Sequence, residues 1–322
     1  MENLNQNQKI KMTKKISIVT PTFNEEDNIA ELCAAISKEM QNFSYDYEHI
    51  VIDNNSTDKT IPIIKKIAET DKNLKIIINS RNFGHLKSPV YGMLQSSGDA
   101  TILINSDFQE PVELITRYIK EWEKGEHKII LGQRSSSDTN KVMNLIRTIF
   151  YKGINKISEV PLMERTWGTG IFSKEIINHV RSIKDPYPYF RGMLSEITAD
   201  IKLIPFHQNI RKGGVTKNNF YTLYDTAMLG IVKHSRLPLR FMILIGFLSS
   251  MISFGIALFY FMYKILYWSS FELGIAPLII GIFFFASIQI LLIGIIGEYI
   301  GVILLYQRNM PLAIEKERIN FD

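Results

Sequence analysis

Lys15-Ile-Ser-Ile-Val-Thr-Pro-Thr-Phe-Asn-Glu-Glu26 is a short β-rich run that breaks into a polar cluster, and the same design returns four times downstream. The strands expected are Ile16 to Thr20, His49 to Asp53, Leu74 to Asn79, Thr101 to Ile104 and Lys128 to Gly132. Between them lie helical stretches, Asn28 to Met40, Lys59 to Thr70, Ser88 to Ser97 and Pro111 to Lys124, with Pro89 and Pro111 placed near helix starts, where a missing N–H does no harm. Strand and helix in strict alternation predict an α/β chain with a mostly parallel sheet covered on both faces. In such sheets the ligand lies beyond the carboxyl ends of the strands. The polar clusters fall there: Pro21-Thr-Phe-Asn-Glu25 after the first strand, Asp53-Asn-Asn-Ser56 after the second, and Asn105-Ser-Asp-Phe-Gln109 after the fourth. Together they offer acceptors for a base, a ribose and a cation.

Past Gly132 the pattern loosens. A helix is expected from about Asn140 to Ile157, then a turn-rich piece around Trp167-Gly-Thr-Gly170, a helix from Ser173 to Ile183, and a Pro-aromatic stretch from Pro186 to Arg191. From Asn219 to Leu237, Phe220, Leu223, Tyr224, Ala227, Met228, Ile231 and Val232 are spaced for one helix face. That helix either lies in a membrane surface or packs on the head as an ordinary core helix. Two uncharged apolar runs follow, Phe241 to Tyr263 and Leu273 to Gly297. A helix rises about 1.5 Å per residue, so each is long enough to cross the hydrocarbon layer once.

The chain has 322 residues, a formal net charge of +5 and one cysteine. One cysteine excludes an internal disulfide, and Cys33, among Ile29, Leu32 and Ile36 at helical spacing, reads as core. The basic residues are scattered, with Lys233, Arg236 and Arg240 where the first run begins, which fits a bilayer-facing collar better than nucleic acid. The first fourteen residues are polar, with no apolar stretch suited to a signal peptide. Lys and Arg flank the front of the first span and the stretch after the second (Arg308, Lys316, Arg318), so the positive-inside rule puts both termini in the cytoplasm. At membrane depth Gln289 and Glu298 need a partner helix or water; they mark either a subunit contact or a lipid-phosphate path, and for Glu298 snorkelling serves equally well.

Asp107 and Gln109, two apart at a strand end, project to one side of an extended chain and offer oxygens to a hard divalent cation. Alone the pair says little, since Asp near Gln is common on surfaces. The motifs around it say more. Thr20-Pro-Thr-Phe-Asn-Glu-Glu26, Ile52-Asp-Asn-Asn-Ser-Thr-Asp-Lys-Thr60, Arg81-Asn-Phe-Gly-His85, Gly98-Asp-Ala100 and Asn105-Ser-Asp-Phe-Gln-Glu-Pro111, in this order, resemble the inverting family 2 glycosyltransferases. More narrowly they are similar to the dolichyl- and undecaprenyl-phosphate sugar transferases, of the bactoprenol glucosyl transferase kind. The similarity continues through Arg211-Lys-Gly-Gly-Val-Thr-Lys217, Leu237-Pro-Leu-Arg240 and Gly297-Glu-Tyr-Ile-Gly301, and so covers nearly the whole chain after the leader.

The resemblance implies an A-type glycosyltransferase (nucleotide-diphospho-sugar transferase) fold followed by juxtamembrane and two transmembrane helices. It implies a leader 1–14, a cytoplasmic glycosyltransferase domain 15–218, an amphipathic juxtamembrane helix 219–240, membrane helices 241–263 and 273–305, and a cytoplasmic tail 306–322. Pro21, Phe23, Glu25, Asp53 and Asn54 fall to the nucleotide, and Asn105, Asp107 and Gln109 to Mg2+ or Mn2+ and the diphosphate. Arg134, Arg191, Arg211 and Lys217 would be phosphate ligands, with Asp107, Arg211 and Lys217 the catalytic set; Gly213 and Gly214 suit a loop that closes over a diphosphate. The reaction implied is inverting transfer of one sugar from a nucleotide-diphosphate sugar to polyprenyl phosphate at the cytoplasmic face of the inner (plasma) membrane, by a homo-oligomer. No motif marks a general base, and a lipid phosphate needs none, because its oxygen is already anionic. Glu196 would serve if the acceptor were a hydroxyl, but it reads more simply as a helix-surface carboxylate.

Three positions depart from the pattern. Asn105 stands where the family usually has the first Asp of Asp-x-Asp, and Asn54 where many members have a second Asp. Gly168-Thr-Gly-Ile-Phe172 stands where glucosyl-transferring relatives often carry a Gly-Asp-Phe-Arg-like run. These departures keep open a non-catalytic membrane scaffold with a retained sugar-nucleotide fold. A processive polysaccharide synthase normally shows more spans and a Gln-x-x-Arg-Trp motif, which Arg165-Thr-Trp167 is not; His85, His207 and His234 are too dispersed for a metal triad.

Overall fold

The computed structural model describes residues 14–135, 163, 165–209, 220–267 and 275–321. They form two compact units: one from residues 14–135, 163, 165–209 and 309–321, the other from 220–267 and 275–308. The helix expected from about Asn140 to Ile157 lies outside the described residues, as do Arg211, Gly213, Gly214 and Lys217.

The first unit is built on β1 (Lys15–Thr22), β2 (Asp46–Asp53), β3 (Leu74–Asn79), β4 (Ala100–Leu103), β5 (Ile129–Arg134), β6 (Thr166–Ser173), β7 (Ile201–Phe206) and β8 (Glu315–Ile319). They lie in one sheet in the order β7-β5-β6-β4-β1-β2-β3-β8. The pairs β1/β2, β1/β4, β2/β3 and β5/β7 are parallel, and β6 and β8 bring the antiparallel pairings. Helices α1 (Ile29–Met40), α2 (Thr60–Thr70), α3 (Gly84–Leu94), α4 (Leu114–Glu123), α5 (Lys174–Ile183) and α6 (Phe190–Ile197) connect the strands.

The strand period of two distributes the apolar side chains to both faces. Ile16, Ile18 and Val51 pack with Ile29, Leu32, Ile36 and Met40 of α1 and Ile115, Tyr118 and Ile119 of α4 on one side. On the other, Val19, Ile50 and Ile52 pack with Val90 and Met93 of α3 and Ile176 and Ile177 of α5. Cys33 is buried in the first of these cores, and burial pushes its thiol up to about 12. Two-sided burial is why these central strands read as apolar runs in the sequence.

Some sequence expectations change. The stretch read as turn-rich around Trp167-Gly-Thr-Gly170 is part of β6, running antiparallel between β4 and β5. The glycines explain both readings: a Cβ on Gly170 would sit 2.1 Å from the Ile130 carbonyl oxygen, so the residue that signals a turn here permits close backbone approach inside a sheet. Helix α3 begins at Gly84 rather than Ser88, which puts Pro89 inside it. Its start is set one turn early because the Asn82 side chain accepts the Gly84 N–H at 2.8 Å and Asn54 accepts that of Phe83 at 3.3 Å.

Strand β8 belongs to a stretch read from sequence as a tail. It runs antiparallel to β3, with Lys65 paired to Glu317 at 2.6 Å and the Tyr91 hydroxyl donating to Glu315 at 2.8 Å. Behind it the Asn320 amide donates to the carbonyls of Ala68 and Leu74 at 2.9 and 2.8 Å.

The second unit contains α7 (Phe220–His234), α8 (Leu237–Leu266) and α9 (Ile275–Gln307). Leu237–Tyr263 and Phe284–Gln307, 27 and 24 residues, are long and apolar enough to cross a membrane. A core helix of a water-soluble protein would hide these side chains, yet Ile243, Phe254 and Ile290 are each 71% exposed. The chain is therefore membrane-associated. Helix α7 packs on α9, where the Tyr299 hydroxyl donates to the Ser235 carbonyl at 2.8 Å. Gln289 lines a cavity of about 290 Å³ with Ser249, Ser250 and Ser253 of α8, so it faces the neighbouring helix.

Candidate functional site

The register Thr22↔Asp53 and the pairing of β1 with β4 bring the carboxyl ends of β1, β2 and β4 to one rim of the sheet. Each polar cluster there turns on a left-handed residue: Asn24 (φ 55°), Asn55 (φ 62°) and Phe108 (φ 55°). For Asn this conformation is easy. For a Phe it costs about 1 kcal/mol or more, and one such residue per loop at a single rim marks a site rather than a set of casual turns.

Asp53 is fully buried, and its two oxygens accept the Ser56 N–H at 2.7 Å and the Ser56 hydroxyl at 2.5 Å. Burial raises its pKa; the Ser56 bonds oppose the rise, and Asp58 adds to it. The Ser56 hydroxyl in turn accepts the Asn24 N–H at 2.8 Å, and the Asn24 side chain accepts the Thr57 N–H at 2.8 Å, so the first two clusters are tied together. Asn54 donates its N–H to Thr22 at 2.9 Å while its side-chain oxygen accepts from Asn79 at 3.0 Å. Glu25 is held at the start of α1: its carboxylate accepts the Asn28 amide at 2.7 Å and its N–H donates to the Thr60 hydroxyl at 2.9 Å. Pro21 reaches the third cluster through its carbonyl, which accepts the Ser106 hydroxyl at 3.2 Å, and Phe23 is half-buried beside it.

In the third cluster Asp107 accepts the Gln109 N–H at 3.2 Å, which closes the left-handed bend at Phe108. Asn209, just past β7, grips the outside of this loop, donating to the Gln109 carbonyl at 3.0 Å and the Phe108 carbonyl at 3.4 Å. Its neighbour Gln208 accepts from the Arg134 guanidinium. On the inside, Glu110 is buried, with one carboxylate oxygen accepting the Thr169 hydroxyl at 2.6 Å and the other the Asn105 N–H at 3.4 Å. Burial raises Glu110 to about 7, against the bonds from Thr169 and Asn105 and with a further push from Asp107.

The basic residues gather at the start of β6. The Arg134 N–H donates to the Arg165 carbonyl at 3.1 Å, and the Arg191 guanidinium donates to the Thr166 carbonyl at 3.0 Å and to the Tyr189 hydroxyl at 3.1 Å. Gly168, left-handed at φ +84°, leaves room for this, since a Cβ would lie 3.2 Å from Phe190 and 3.7 Å from the Arg191 side chain. His85 feels the same cation: burial and then Arg191 lower its pKa. Glu196 is exposed on α6.

Among the described residues no three His, Cys, Asp or Glu side chains gather to hold a metal ion. The oxygens of Asn105, Asp107 and Gln109 are hard donors of the kind Mg2+ and Mn2+ take, but they bring one negative charge. They fit a cation that a diphosphate helps to hold, not a self-sufficient ion site. The sequence gives no role to Asn79, Thr169, Gln208 or Asn209, whose contacts with the rim span 25 or more residues of chain, whereas Ser56 and Glu110 lie inside the Ile52–Thr60 and Asn105–Pro111 motifs and could have been noticed there.

Residues 17–200 match the family described as Glycosyl transferase family 2. The chain is 32% identical over 303 residues to the putative glycosyltransferase CsbB of Bacillus subtilis (strain 168), covering 94% of this chain and 91% of that one. It is 29% identical over 304 residues to the bactoprenol glucosyl transferase of Shigella phage SfX, covering 94% and 99%. Among solved structures it is similar to the glucosyl-3-phosphoglycerate synthase of Mycobacterium tuberculosis in complex with phosphoglyceric acid, at 18% identity and a TM-score of 0.47, covering 68% of this chain and 78% of that one.

Proposed function

The chain belongs to Glycosyl transferase family 2, and from that premise we propose that it transfers a single sugar, with inversion, from a nucleotide-diphosphate sugar to a polyprenyl phosphate at the cytoplasmic face of the plasma membrane. The observation that carries this reading is the combination in one chain of a three-loop polar rim with two lipid-facing helices, aligned over almost its full length with a bactoprenol glucosyl transferase. The layout is a head of residues 15–218, a juxtamembrane helix 219–240, membrane helices 241–263 and 273–305, and a segment 306–322 whose β8 completes the head's sheet, with both termini cytoplasmic.

The residues divide the work by chemistry. Buried Asp53 and Asn54, with Pro21, Phe23 and Glu25, form the nucleoside pocket, and the bonds that Ser56, Asn79 and Ser106 make to Asp53, Asn54 and Pro21 hold it ready before the donor arrives. Asn105, Asp107 and Gln109 would hold a divalent cation. Mg2+ or Mn2+ would supply positive charge there against the departing nucleoside diphosphate. Arg134 and Arg191 hold phosphate oxygens, with Arg211 and Lys217 assigned from the motif alone. The acceptor phosphate brings its own anionic oxygen, so one displacement at the anomeric carbon inverts it, and no residue has to take a proton. An exposed Glu196 accords with that.

The test offers a panel of radiolabelled nucleotide sugars to membranes carrying the protein and supplied with undecaprenyl phosphate. Label from one donor should enter the organic phase. No transfer from any donor, with the protein folded and inserted, would overturn the reading.

A further inference from the structure

We infer that Glu110 is a positioning residue: through Thr169 on one carboxylate oxygen and the Asn105 N–H on the other, it fixes the Asn105–Gln109 loop against β6. The inference rests on the proposed role of that loop in holding the cation and the diphosphate.

A carboxyl group is retained in a protein interior only when hydrogen bonds replace its lost water. Glu110 and Thr169 are 5% and 2% exposed, so the bond between them is largely shielded from solvent. The bonds they make join three parts of the site. Asn105 opens the cation loop and Glu110 closes it, so the Asn105 N–H contact ties the loop's two ends together. Pro111 follows Glu110 and confines its backbone to extended conformations, which removes the loop's freedom at that end. Thr169 carries the constraint across to β6 over 59 residues of sequence.

Thr169 is itself held. It lies between Gly168, against which Phe190 and Arg191 pack, and Gly170, whose lack of a side chain allows β6 to press on Ile130. The bond from the Thr169 hydroxyl to Glu110 therefore extends the β4/β6 pairing, in which Leu103 lies opposite Gly170, into the cation loop itself and ties that loop to the strand whose start holds Arg191. These are the two places that would grip opposite sides of a diphosphate. Asn209 holds the same loop from outside, but through main-chain carbonyls that any sequence would present. With two amides and one carboxylate as donors, the loop has little charge to attract a cation, and its affinity rests on holding three oxygens in place beforehand.

The experiment uses the full chain in detergent micelles, titrated with Mn2+ alone and read by the electron paramagnetic resonance of the free ion, with melting temperature measured in parallel. Thr169→Val keeps the shape and removes the hydroxyl, and should weaken Mn2+ binding about tenfold, the equivalent of one charge-assisted hydrogen bond. Thr169→Ser should restore it. Glu110→Gln should weaken binding similarly, and carries the test alone if Thr169→Val fails to fold. In the transfer assay the concentration of Mn2+ for half-maximal rate should rise while the rate at saturating Mn2+ changes little. A fall in melting temperature with Mn2+ affinity unchanged would make Glu110 a core residue only and overturn the inference. If the unmodified protein bound no Mn2+, the cation reading of the loop would fall, and this inference with it; equal binding by parent and variants removes this inference alone.

Discussion

Glu48→Gln separates what holds the sheet together from what performs the chemistry. Glu48 lies at the amino-terminal half of β2, five residues before Asp53, so at about 3.3 Å per residue it is about 17 Å from the rim where the polar loops meet. Its carboxylate accepts from the Ser17 hydroxyl at 2.6 Å, the Ser97 N–H at 2.8 Å, the Ser97 hydroxyl at 2.9 Å, and the ammonium groups of Lys15 and Lys75, each at 2.9 Å. Burial alone would raise its pKa, but these donors outweigh burial and bring it from 4.5 to about 2. At about 1.4 kcal/mol for each pH unit by which a pKa moves, the displacement corresponds to about 3 kcal/mol. The lysines are 34% and 18% exposed, and solvent screening brings the figure to about 2 kcal/mol. A carboxylate with a depressed pKa gives its full stabilisation above the unfolded value and loses it as pH falls toward the folded one. The gap between parent and Glu48→Gln should therefore be full at pH 7 and close between about pH 5 and pH 2. In a head of this size it corresponds to a melting temperature lower by about 6 °C at pH 7. The assay is thermal unfolding of the full chain in micelles, followed by tryptophan fluorescence at pH 7 and pH 3.5, with sugar transfer at 25 °C as the control. Transfer should be unchanged. A Gln variant as stable as the parent at pH 7, or a gap that does not narrow with acid, would refute the reasoning.

Three further outcomes follow from single contacts. Asp107→Asn removes the one carboxylate of the cation loop and should lower transfer at least about 100-fold without moving the melting temperature; label reaching the lipid at the parent rate would refute the loop's role. Gly170→Ala places a Cβ 2.1 Å from the Ile130 carbonyl and should destabilise the head by about 3 kcal/mol or more, and parent-like thermal unfolding would mean that β6 can shift away from β5. Asn320→Ala removes the amide that serves the carbonyls of Ala68 and Leu74 and should cost about 1–2 kcal/mol, read as faster hydrogen exchange in β8 and β3 with the transfer rate unaltered; unchanged exchange in both strands would contradict it.

The strands that the sequence revealed are those buried on both faces. Ile16, Ile18, Val19, Ile50, Val51 and Ile52 leave no other reading for β1 and β2, and the polar residues that follow them mark the rim. Strand β6 was hidden because Gly168 and Gly170 look like turn residues unless one knows that another backbone lies against them. Strand β8 was hidden for a different reason. Glu315-Lys-Glu-Arg318 reads as a solvated stretch, and becomes a strand only through β3 and through Lys65 and Tyr91, more than 220 residues away in sequence. The site divides in the same way. Asp53, Asn54, Asn105, Asp107 and Gln109 belong to motifs that can be read locally, whereas Asn79, which holds Asn54, Thr169, which holds Glu110, and Asn209, which holds the Phe108–Gln109 bend, are recognisable only by contact.

The departures at positions 54 and 105 acquire a physical sense from the burial around them. Asp53 and Glu110 are already pushed up by loss of solvent, and each is pushed further by a neighbouring carboxylate, Asp58 for the first and Asp107 for the second. A carboxylate at position 54 would stand next to Asp53, and one at position 105 would stand where the N–H of that residue already serves Glu110. Both would add like charge to groups that have little water to screen it. Asn keeps the oxygen: at position 54 it accepts from Asn79 and from the Phe83 N–H, two bonds that need no negative charge. The chain thus holds fewer charges at its rim and relies on hydrogen bonds to fix the ones it keeps. Asn105→Asp would add a second carboxylate to a half-buried cation loop beside buried Glu110, so like-charge repulsion should offset part of the charge it offers, and Mn2+ affinity read by electron paramagnetic resonance should rise only modestly; a large rise would contradict this account.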